Sequence, residues 1–593
     1  YFFIKNSFTK NLKSLSLLIT IIFYLNLIFL IIYCFLNYLS GDGINDAIIF
    51  HIVFGIKGFG INEYIAPFLL LTIGIIFLIL SFKYFFKSTI NDQEKDNYVR
   101  PVIGILLLFI FILSNPFYTD IYKLIIEKDY KYNEDENFFH DQEIIFKKEK
   151  KNVIFLYLEQ IERTYLDEKI FPGLTPNLSN LEKMSITFTN IDSPRATNWT
   201  IAGMAASQCG ISLFTPVASE NSMAGVDEFL PLAKCLGDIL DNEEYELHYI
   251  GGSDLDFAGK GNFYKTHGFD IVQGWDELEP SLVDSTYRSA WGVFDDELLQ
   301  IISKRLNNLD KDHKNFGLFS LTLDTHHPYG YISKSCIDMP YKDGKNQILN
   351  SVHCVDFIVG DFIRKFLSSN LYHNTVLVVL SDHLALKNTA TNLLNKRDRK
   401  NLFMIFDKAS SPINIDDVGN TFDIGPTVLG LLGSNTIGLG LGRNLLFSDS
   451  LSKSHNIDNV INKNKKKILE LWSFPKLEKG FRISDENKVF FGERYIKFPA
   501  LIILDSKNEV EQIMFDFYYA NPLTNKVNEI NKNLNFIWID DCKKINNYLK
   551  IDKILYKDSY CVLLEDKINK KFQNFSASNE ILDNVFIKNY FKK

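Results

Sequence analysis

Four residues have the types needed to hold one divalent metal and to activate a hydroxyl beside it. Asp382 and His383 follow the apolar run Thr375 to Leu380 (TVLVVL). Glu159 follows the run Asn152 to Leu158 (NVIFLYL), and Thr200 opens the small-residue segment Thr200 to Gly210 (TIAGMAASQCG). Carboxylates and imidazole are ordinary ligands of divalent ions. A hydroxyl beside such an ion is driven toward its alkoxide, a competent nucleophile. The set points to a metal-assisted transfer enzyme rather than to a binding module. Its donors are mostly hard oxygens, which suit Mn²⁺ or Mg²⁺ better than a thiolate-seeking metal; Mn²⁺ is the expected ion, with Mg²⁺ or Zn²⁺ as alternatives.

The elements that must bring these residues together are legible as buried parallel strands, which read as short continuous apolar runs. A third run, Phe316 to Leu323 (FGLFSLTL), leads into Asp324-Thr325-His326-His327. In open α/β sheets ligands gather beyond the carboxyl ends of the strands, so parallel pairing would bring all three ends to one rim. Gly251-Gly252-Ser253-Asp254 follows the strand-like Glu246 to Ile250 and adds another rim loop. Strand-like and helix-like segments alternate from Asn152 to about Leu446, predicting an α/β fold with a mostly parallel sheet. Thr200 at a helix start would ordinarily be an N-cap. Here Ala202, Gly203, Ala205 and Ala206 let the helix end approach a ligand, and its free N–H groups suit an anion. Ser207, Thr197 and Thr325 are the alternative nucleophiles.

With 593 residues and a formal charge of −8, the chain is too long for one domain, and its charge argues against a nucleic-acid partner. Residues 1–118 carry three apolar stretches, 14–39, 64–86 and 102–118, read as transmembrane helices. Lys5, Lys10 and Lys13 precede the first stretch, and Lys83, Lys87, Lys95 and Arg100 surround the loop after the second. The loop between the first two stretches carries only Lys57. That asymmetry places the N-terminus inside and everything after Tyr118 outside. No small-residue cleavage site follows the first stretch, so it reads as an anchor. Tyr1 opens the sequence, which leaves room for a preceding segment and a further span. Residues 119–151 read as a juxtamembrane linker, 152–446 as the catalytic domain and 447–593 as a small accessory domain, with Ser448 to Lys467 as the boundary. Of seven cysteines, Cys34 lies in a span. The other six fall outside, where disulfides persist. Local pairing gives Cys209–Cys235, Cys336–Cys354 and Cys542–Cys561.

Several longer stretches make the chain resemble a known family. They are SGDGINDAIIF (Ser40 to Phe50), ERTYLDEKIFPGLTP (Glu162 to Pro176), NWTIAGMAASQCGISLF (Asn198 to Phe214), HGFD (His267 to Asp270), YRSAWGVFDD (Tyr287 to Asp296), LTLDTHHPYG (Leu321 to Gly330), SDHLALKNTA (Ser381 to Ala390) and LNKRDRKNLF (Leu394 to Phe403). Together they resemble the membrane-bound phosphoglycerol transferases of the alkaline-phosphatase and sulfatase superfamily, most of all the branch that decorates periplasmic glucans. The resemblance implies that Glu159, Thr200, Asp382 and His383 bind the metal, with Thr200 as nucleophile and His326 near the phosphoglycerol. It implies phosphatidylglycerol as donor, a periplasmic glucan as acceptor and an inner-membrane enzyme with its catalytic domain on the periplasmic side. No obligate protein partner is implied. Lipoteichoic acid synthesis and phosphoethanolamine transfer use the same chemistry and stay open. A receptor built on an inactive fold is disfavoured by the intact metal set, and a sulfatase by the absence of its nucleophile context around Ser193-Pro194-Arg195.

The remaining candidates each carry two readings. His326 suits proton transfer or phosphate contact, and imidazole can protonate a leaving alkoxide near neutral pH. His327 is a substrate contact or a surface histidine. Trp291 is a packed wall of the site, and Arg288 is a phosphate clamp or a surface ion pair. Lys396, Arg397 and Arg399 form a solvated face or an anion-guiding rim. His267 reads as structural. Asn388, Thr389, Thr391, Asn392 and Asn395, just after Asp382-His383, could hold a hydroxyl-rich acceptor.

Overall fold

The computed structural model describes residues 2–40, 43–45, 48, 61–91, 99–126, 138–140, 144–146, 149–214, 228–311 and 314–472. In the C-terminal part it describes 481–484, 488–491, 494–504, 510–515, 523–524, 527, 530, 534–550, 560–566, 571–576, 581–582 and 590. Most of the Ser40 to Phe50 stretch, the Lys57 loop and about half of the 119–151 linker lie outside the described residues.

Two long N-terminal helices, Phe2–Ser40 and Ile61–Asn91, contain segments long and apolar enough to cross a membrane, Leu17–Tyr38 and Pro67–Tyr84. The third stretch is not one straight helix. It breaks at Asn115, and Ile105–Ser114 and Pro116–Tyr122 meet at 54°. Pro116 explains the break, because proline starts a helix well but cannot continue one. Asn115 Nδ2 donates to Asn26 Oδ1 at 2.6 Å and to Asn26 O at 3.1 Å, tying the break to the first helix.

The catalytic unit is built on an eight-stranded sheet, mostly parallel. Its strands are β1 (Asn152–Leu158), β2 (Ile186–Phe188), β4 (Glu246–Gly251), β5 (Ile271–Gln273), β6 (Phe316–Leu321), β7 (Thr375–Ser381), β8 (Phe403–Phe406) and β9 (Ile413–Ile415). The order across the sheet is β5-β4-β6-β1-β7-β8-β2-β9, and β3 (Ile191–Asp192) pairs with β10 (Gly419–Asn420) beside it. A short hairpin, β11 (Gly438–Leu439) and β12 (Gly442–Arg443), follows. Strand β1 is central and pairs in parallel with both β6 and β7. Tyr157 is level with Leu321, and Leu158 with Ser381. The residues just after those positions therefore emerge at one rim, as the apolar runs predict.

Side-chain alternation sends the strands' residues to two different cores. Val153, Phe155, Tyr157, Val376, Val378 and Leu380 pack on one face. Ile154, Leu156, Leu158, Leu377 and Val379 pack on the other. Both faces are buried, which is why the runs are continuous rather than alternating. The first core does not stop at Leu446. Val460, Ile461 and Ile468 of the helix Ile457–Glu470, together with Trp472, belong to it, and Trp472 Nε1 donates to Phe214 O at 2.7 Å. The polar stretch taken as a boundary is an amphipathic helix whose Lys- and Asn-rich face is the outer one.

Beyond it lie two antiparallel sheets. One has the order β15-β14-β13-β21, from Arg494–Lys497, Lys488–Phe491, Phe481–Ser484 and Ile581–Leu582. The other runs β17-β16-β18-β19-β20, from Val510–Phe515, Ala500–Leu504, Asn535–Asp541, Tyr560–Asp566 and Lys571–Ser576. The three disulfides are Cys209–Cys235, Cys336–Cys354 and Cys542–Cys561, the local pairing expected from sequence.

Candidate active site

Glu159, Asp382 and His383 converge at the rim, each about 1% exposed, with one ligand atom apiece lying within 4.8 Å of the others. His383 Nδ1 bonds the carbonyl of Leu384 at 2.8 Å, and a carbonyl only accepts, so Nδ1 carries the proton. Its Nε2 lone pair then faces Asp382 Oδ2 at 3.3 Å and Glu159 Oε1 at 3.9 Å. Asp382 Oδ1 is satisfied by the backbone N–H groups of Gln160 and His383, both at 2.8 Å, whereas the buried Oδ2 has no hydrogen-bond partner. Burial and the Asp382 carboxylate beside it push Glu159 well above the ordinary carboxylate range. With both carboxylates ionised, these three acceptor atoms face one another and repel, which is why Glu159 holds its proton in the absence of a cation. A cation relieves that repulsion, so the donor set fits a divalent metal.

Thr200 is the first residue of the helix Thr200–Cys209, and the N-cap position is Trp199, whose side chain makes no capping bond. The helix lies directly on the metal-type group, because a Cβ added at Gly203 would sit 1.8 Å from Asp382 O. The alternative hydroxyls are engaged. Ser207 donates to Gly203 O at 2.8 Å, Thr197 to Pro194 O at 2.6 Å, and Thr325 to Glu159 O. Thr200 Oγ1 has no such partner among the described residues.

His326 stacks on Trp291 with ring centroids 3.8 Å apart, and on His327 at 4.5 Å. Its Nδ1 donates to His327 O at 2.8 Å. Burial, reinforced by His327, pushes its pKa well below that of a free histidine, so the ring is neutral with its lone pair on Nε2. A neutral ring of this kind can accept a proton, within the proton-transfer role expected from sequence. Arg288 is exposed and stacks over Trp275, 4.1 Å from the ring centroid; it makes no ion pair among the described residues. The basic cluster is largely paired. Arg397 Nε bonds Asp167 at 2.8 Å, and Arg399 makes a forked contact with the fully buried Glu162. Three of the five polar residues proposed for an acceptor are engaged within the protein. Asn388 Nδ2 donates to Tyr165 Oη, Thr389 Oγ1 to Asn346 Oδ1, and Thr391 Oγ1 to Asn388 O. Asn392 and Asn395 are exposed.

A second group, Cys209, Cys235 and His267, also has metal-type spacing, but its two cysteines form a disulfide. His267 Nδ1 bonds Asp238 at 2.8 Å, in keeping with a structural histidine.

Comparisons with known proteins follow these elements. The N-terminal domain profile of phosphoglycerol transferase I matches residues 1–134, the sulfatase profile 151–434, and the phosphoglycerol transferase I middle-domain profile 479–583. Phosphoglycerol transferase I of Escherichia fergusonii is 36% identical over 516 residues, covering 86% of this chain and 67% of that protein. The Salmonella choleraesuis protein of the same name is 36% identical over 518 residues, with the same coverage. The chain belongs to the phosphoglycerol transferase I family.

It is a phosphotransferase enzyme. Its superfamily works with a divalent metal, and Glu159, Asp382 and His383 are the residues that could hold one here. Among solved structures, an alkaline-phosphatase superfamily protein from Vibrio parahaemolyticus is 23% identical with a TM-score of 0.42, covering 51% of this chain and 71% of that one. The lipoteichoic acid synthase LtaP from Listeria monocytogenes is 20% identical with a TM-score of 0.42, covering 55% and 81%.

Two buried residues were missed in the sequence. Lys260, 2% exposed, donates to Ser253 Oγ at 2.6 Å. Burial lowers its pKa to about 8, against the opposing pull of Glu159, Asp254 and Asp382. A lysine buried beside acids, just past a Gly-rich rim loop, was the available signal. Gln160 gave no such signal, although it bonds Glu159, Asp382 and His327 at once.

Proposed function

We propose that this phosphoglycerol transferase family enzyme moves phosphoglycerol from phosphatidylglycerol to a periplasmic glucan through an ester on Thr200. The observation that carries the reading is the convergence of Glu159, Asp382 and His383, with an orphaned Asp382 oxygen, against the helix that Thr200 begins. A divalent ion held by these three residues, Mn²⁺ best suited to the donor set, would acidify the threonine hydroxyl and offset phosphoryl charge. Thr200 Oγ bonds to phosphorus as the bond to the diacylglycerol oxygen breaks; the threonine proton passes by way of His326 Nε2 to the departing diacylglycerol oxygen, and phosphoglycerol remains as the Thr200 ester. An acceptor hydroxyl then attacks that ester and gives its proton to His326 Nε2, and the Thr200 oxygen leaves and takes that proton, restoring the threonine hydroxyl and the neutral histidine. Lys260 and the amides at the helix start hold phosphoryl oxygens during both steps. The exposed Asn392 and Asn395 lie on the loop where a glucan would enter.

The membrane helices keep the site at the bilayer surface where the donor resides. We place the catalytic unit on the periplasmic side of the inner membrane, from the basic residues flanking the spans and from the three disulfides. The test supplies the purified chain, with manganese, with headgroup-labelled phosphatidylglycerol and either a β-glucan or a glycerophosphate-primed lipid. Label on the glucan with release of diacylglycerol is expected. Label only on the primed lipid overturns the acceptor, and no release of diacylglycerol overturns the donor.

A further inference from the structure

Gln160 is 2% exposed and holds a left-handed backbone, φ 55°, which a residue other than glycine adopts at a cost. Its backbone N–H reaches Asp382 Oδ1 at 2.8 Å. Its side-chain amide has three contacts. Oε1 accepts the Leu386 N–H at 3.0 Å, while Nε2 lies 2.9 Å from Glu159 Oε1 and 3.0 Å from His327 Nδ1.

These contacts fix the orientation of the amide. Turning it over would set its carbonyl against the Glu159 carboxylate and its NH₂ against the Leu386 N–H, two repulsive contacts in place of two bonds. An amide NH₂ has two hydrogens and no useful lone pair. One hydrogen goes to Glu159, so the other goes to His327 Nδ1, which must accept it. The proton of His327 is therefore on Nε2. Its neighbour His326 is held the other way, with its proton on Nδ1 by the bond to His327 O. The choice of tautomer follows from the partner of the second nitrogen, as it does wherever a histidine serves in a site.

We propose that Gln160 is a positioning residue that holds His327 as an Nε2–H donor while the stacked His326 keeps an Nε2 acceptor, giving the two histidines complementary roles. A donor imidazole suits a phosphoryl oxygen, and an acceptor imidazole suits the proton of an incoming hydroxyl. The proposal rests on the reading of this rim as a phosphate-ester site. It also explains why a side chain bound to Glu159 reaches across to the histidine pair and to the loop at Leu386. Metal ligands, phosphate contact and acceptor loop are fixed by one amide.

The test uses the full chain in detergent with ¹⁵N-labelled histidine and manganese-free buffer. The His327 signals are assigned by their loss in His327→Gln. Wild type is expected to show an unprotonated Nδ1 and a protonated Nε2. Gln160→Glu keeps the size but offers an acceptor to Nδ1, and should move the proton there. Gln160→Met offers neither donor nor acceptor; it should leave a mixture of tautomers, and it serves if the first variant does not fold. Binding of sn-glycerol 1-phosphate by calorimetry should weaken about 10-fold in Gln160→Glu, the effect of one lost hydrogen bond. A wild-type His327 protonated at Nδ1, or a proton that stays on Nε2 in both variants, overturns the proposal. Wild type that shows the expected tautomer yet does not bind sn-glycerol 1-phosphate overturns the phosphate-ester reading and leaves the assignment of Gln160 standing.

Discussion

Asp540 and Asp382 are both buried aspartates at strand ends, and of the two only Asp382 sits in a candidate site. Asp540, near the end of β18, is fully buried and fully used. Its Oδ2 accepts Trp538 Nε1 at 3.2 Å, its Oδ1 accepts the Asp541 N–H at 2.7 Å, and Lys544 lies 3.1 Å away. Asp382, just after β7, is equally buried, but its Oδ2 has no donor and instead faces a histidine lone pair and a second carboxylate. An acid at a strand end is therefore not in itself a sign of chemistry. What separates the two is whether the surroundings satisfy the charge or leave it for something else to satisfy.

Substitution of the two aspartates gives the largest expected contrast. On the proposed site, Asp382→Ala should lose the divalent metal, tested with manganese, and transfer together, since ligand and chemistry would share one site. Asp540→Ala should leave both intact and lower stability by about 1–3 kcal/mol, through loss of its hydrogen bonds. Thr200→Ala should retain manganese and still lose transfer by about 10⁴-fold or more, the scale of removing an activated nucleophile. Metal analysis and diacylglycerol release on the three purified variants decide it. Normal release by Thr200→Ala would remove the threonine from the mechanism, and manganese retained at full occupancy by Asp382→Ala would remove the aspartate from the ligand set.

A smaller effect should come from Gly203→Ala, which changes no ligand. The added methyl would sit 1.8 Å from Asp382 O and 2.8 Å from Asp382 C, and both are backbone atoms that cannot rotate away. Either the helix retreats or Asp382 moves, at a cost of about 1–3 kcal/mol. Weakened manganese affinity together with a lower melting temperature is the expected result. A lower melting temperature with manganese affinity unchanged would mean that the helix moves and the ligand group does not depend on it.

Whether such features can be read from sequence depends on the distance over which they are defined. The strand runs before Glu159, Asp324 and Asp382 were legible because burial on both faces writes itself as uninterrupted apolar residues. Parallel pairing then dictates a common rim. The three disulfides were legible because each closes a short local loop. Gln160 was not, since its role depends on a left-handed backbone and on partners at His327, Asp382 and Leu386, all more than 160 positions away. Arg399 read as a free cation because its partner Glu162 lies 237 positions upstream. The helix Ile457–Glu470 read as part of a domain boundary because its Lys and Asn residues outnumber the few apolar residues that pack.

The smallest expected effect concerns two buried acids in the catalytic unit that hold each other's backbone at the expense of their own ionisation, although Asp324 Oδ1, like Asp382 Oδ2, has no hydrogen-bond partner among the described residues. Asp295 and Asp324 are fully buried and brace each other's backbone. Asp295 accepts the N–H groups of Leu323 at 2.6 Å and Asp324 at 3.0 Å, and Asp324 Oδ2 accepts that of Asp295 at 3.3 Å. Burial raises Asp295 from 3.8 to about 7, and burial together with the neighbouring Asp295 charge raises Asp324 well above its usual value. The folded chain therefore binds these protons more tightly than the unfolded chain does. Stability from Asp295 is fully present below about pH 4 and is lost as pH rises through about 7. Asp423, raised by burial to about 6, acts in the same direction over a lower window. Thermal unfolding between pH 5 and pH 8 should show stability falling as pH rises. Asp295→Asn, which cannot ionise, should flatten that fall by an amount on the order of 1 kcal/mol per pH unit between about pH 5 and pH 7. The variant is less stable at pH 5, because its amide presents an N–H to one of two backbone donors. The slope is therefore the informative quantity, and the slope contributed by Asp423 should survive in the variant. An unchanged slope would mean that Asp295 is already ionised in the fold, with its two backbone bonds outweighing burial. The contrast between satisfied and unsatisfied acids would then apply within the brace as well as between the two regions.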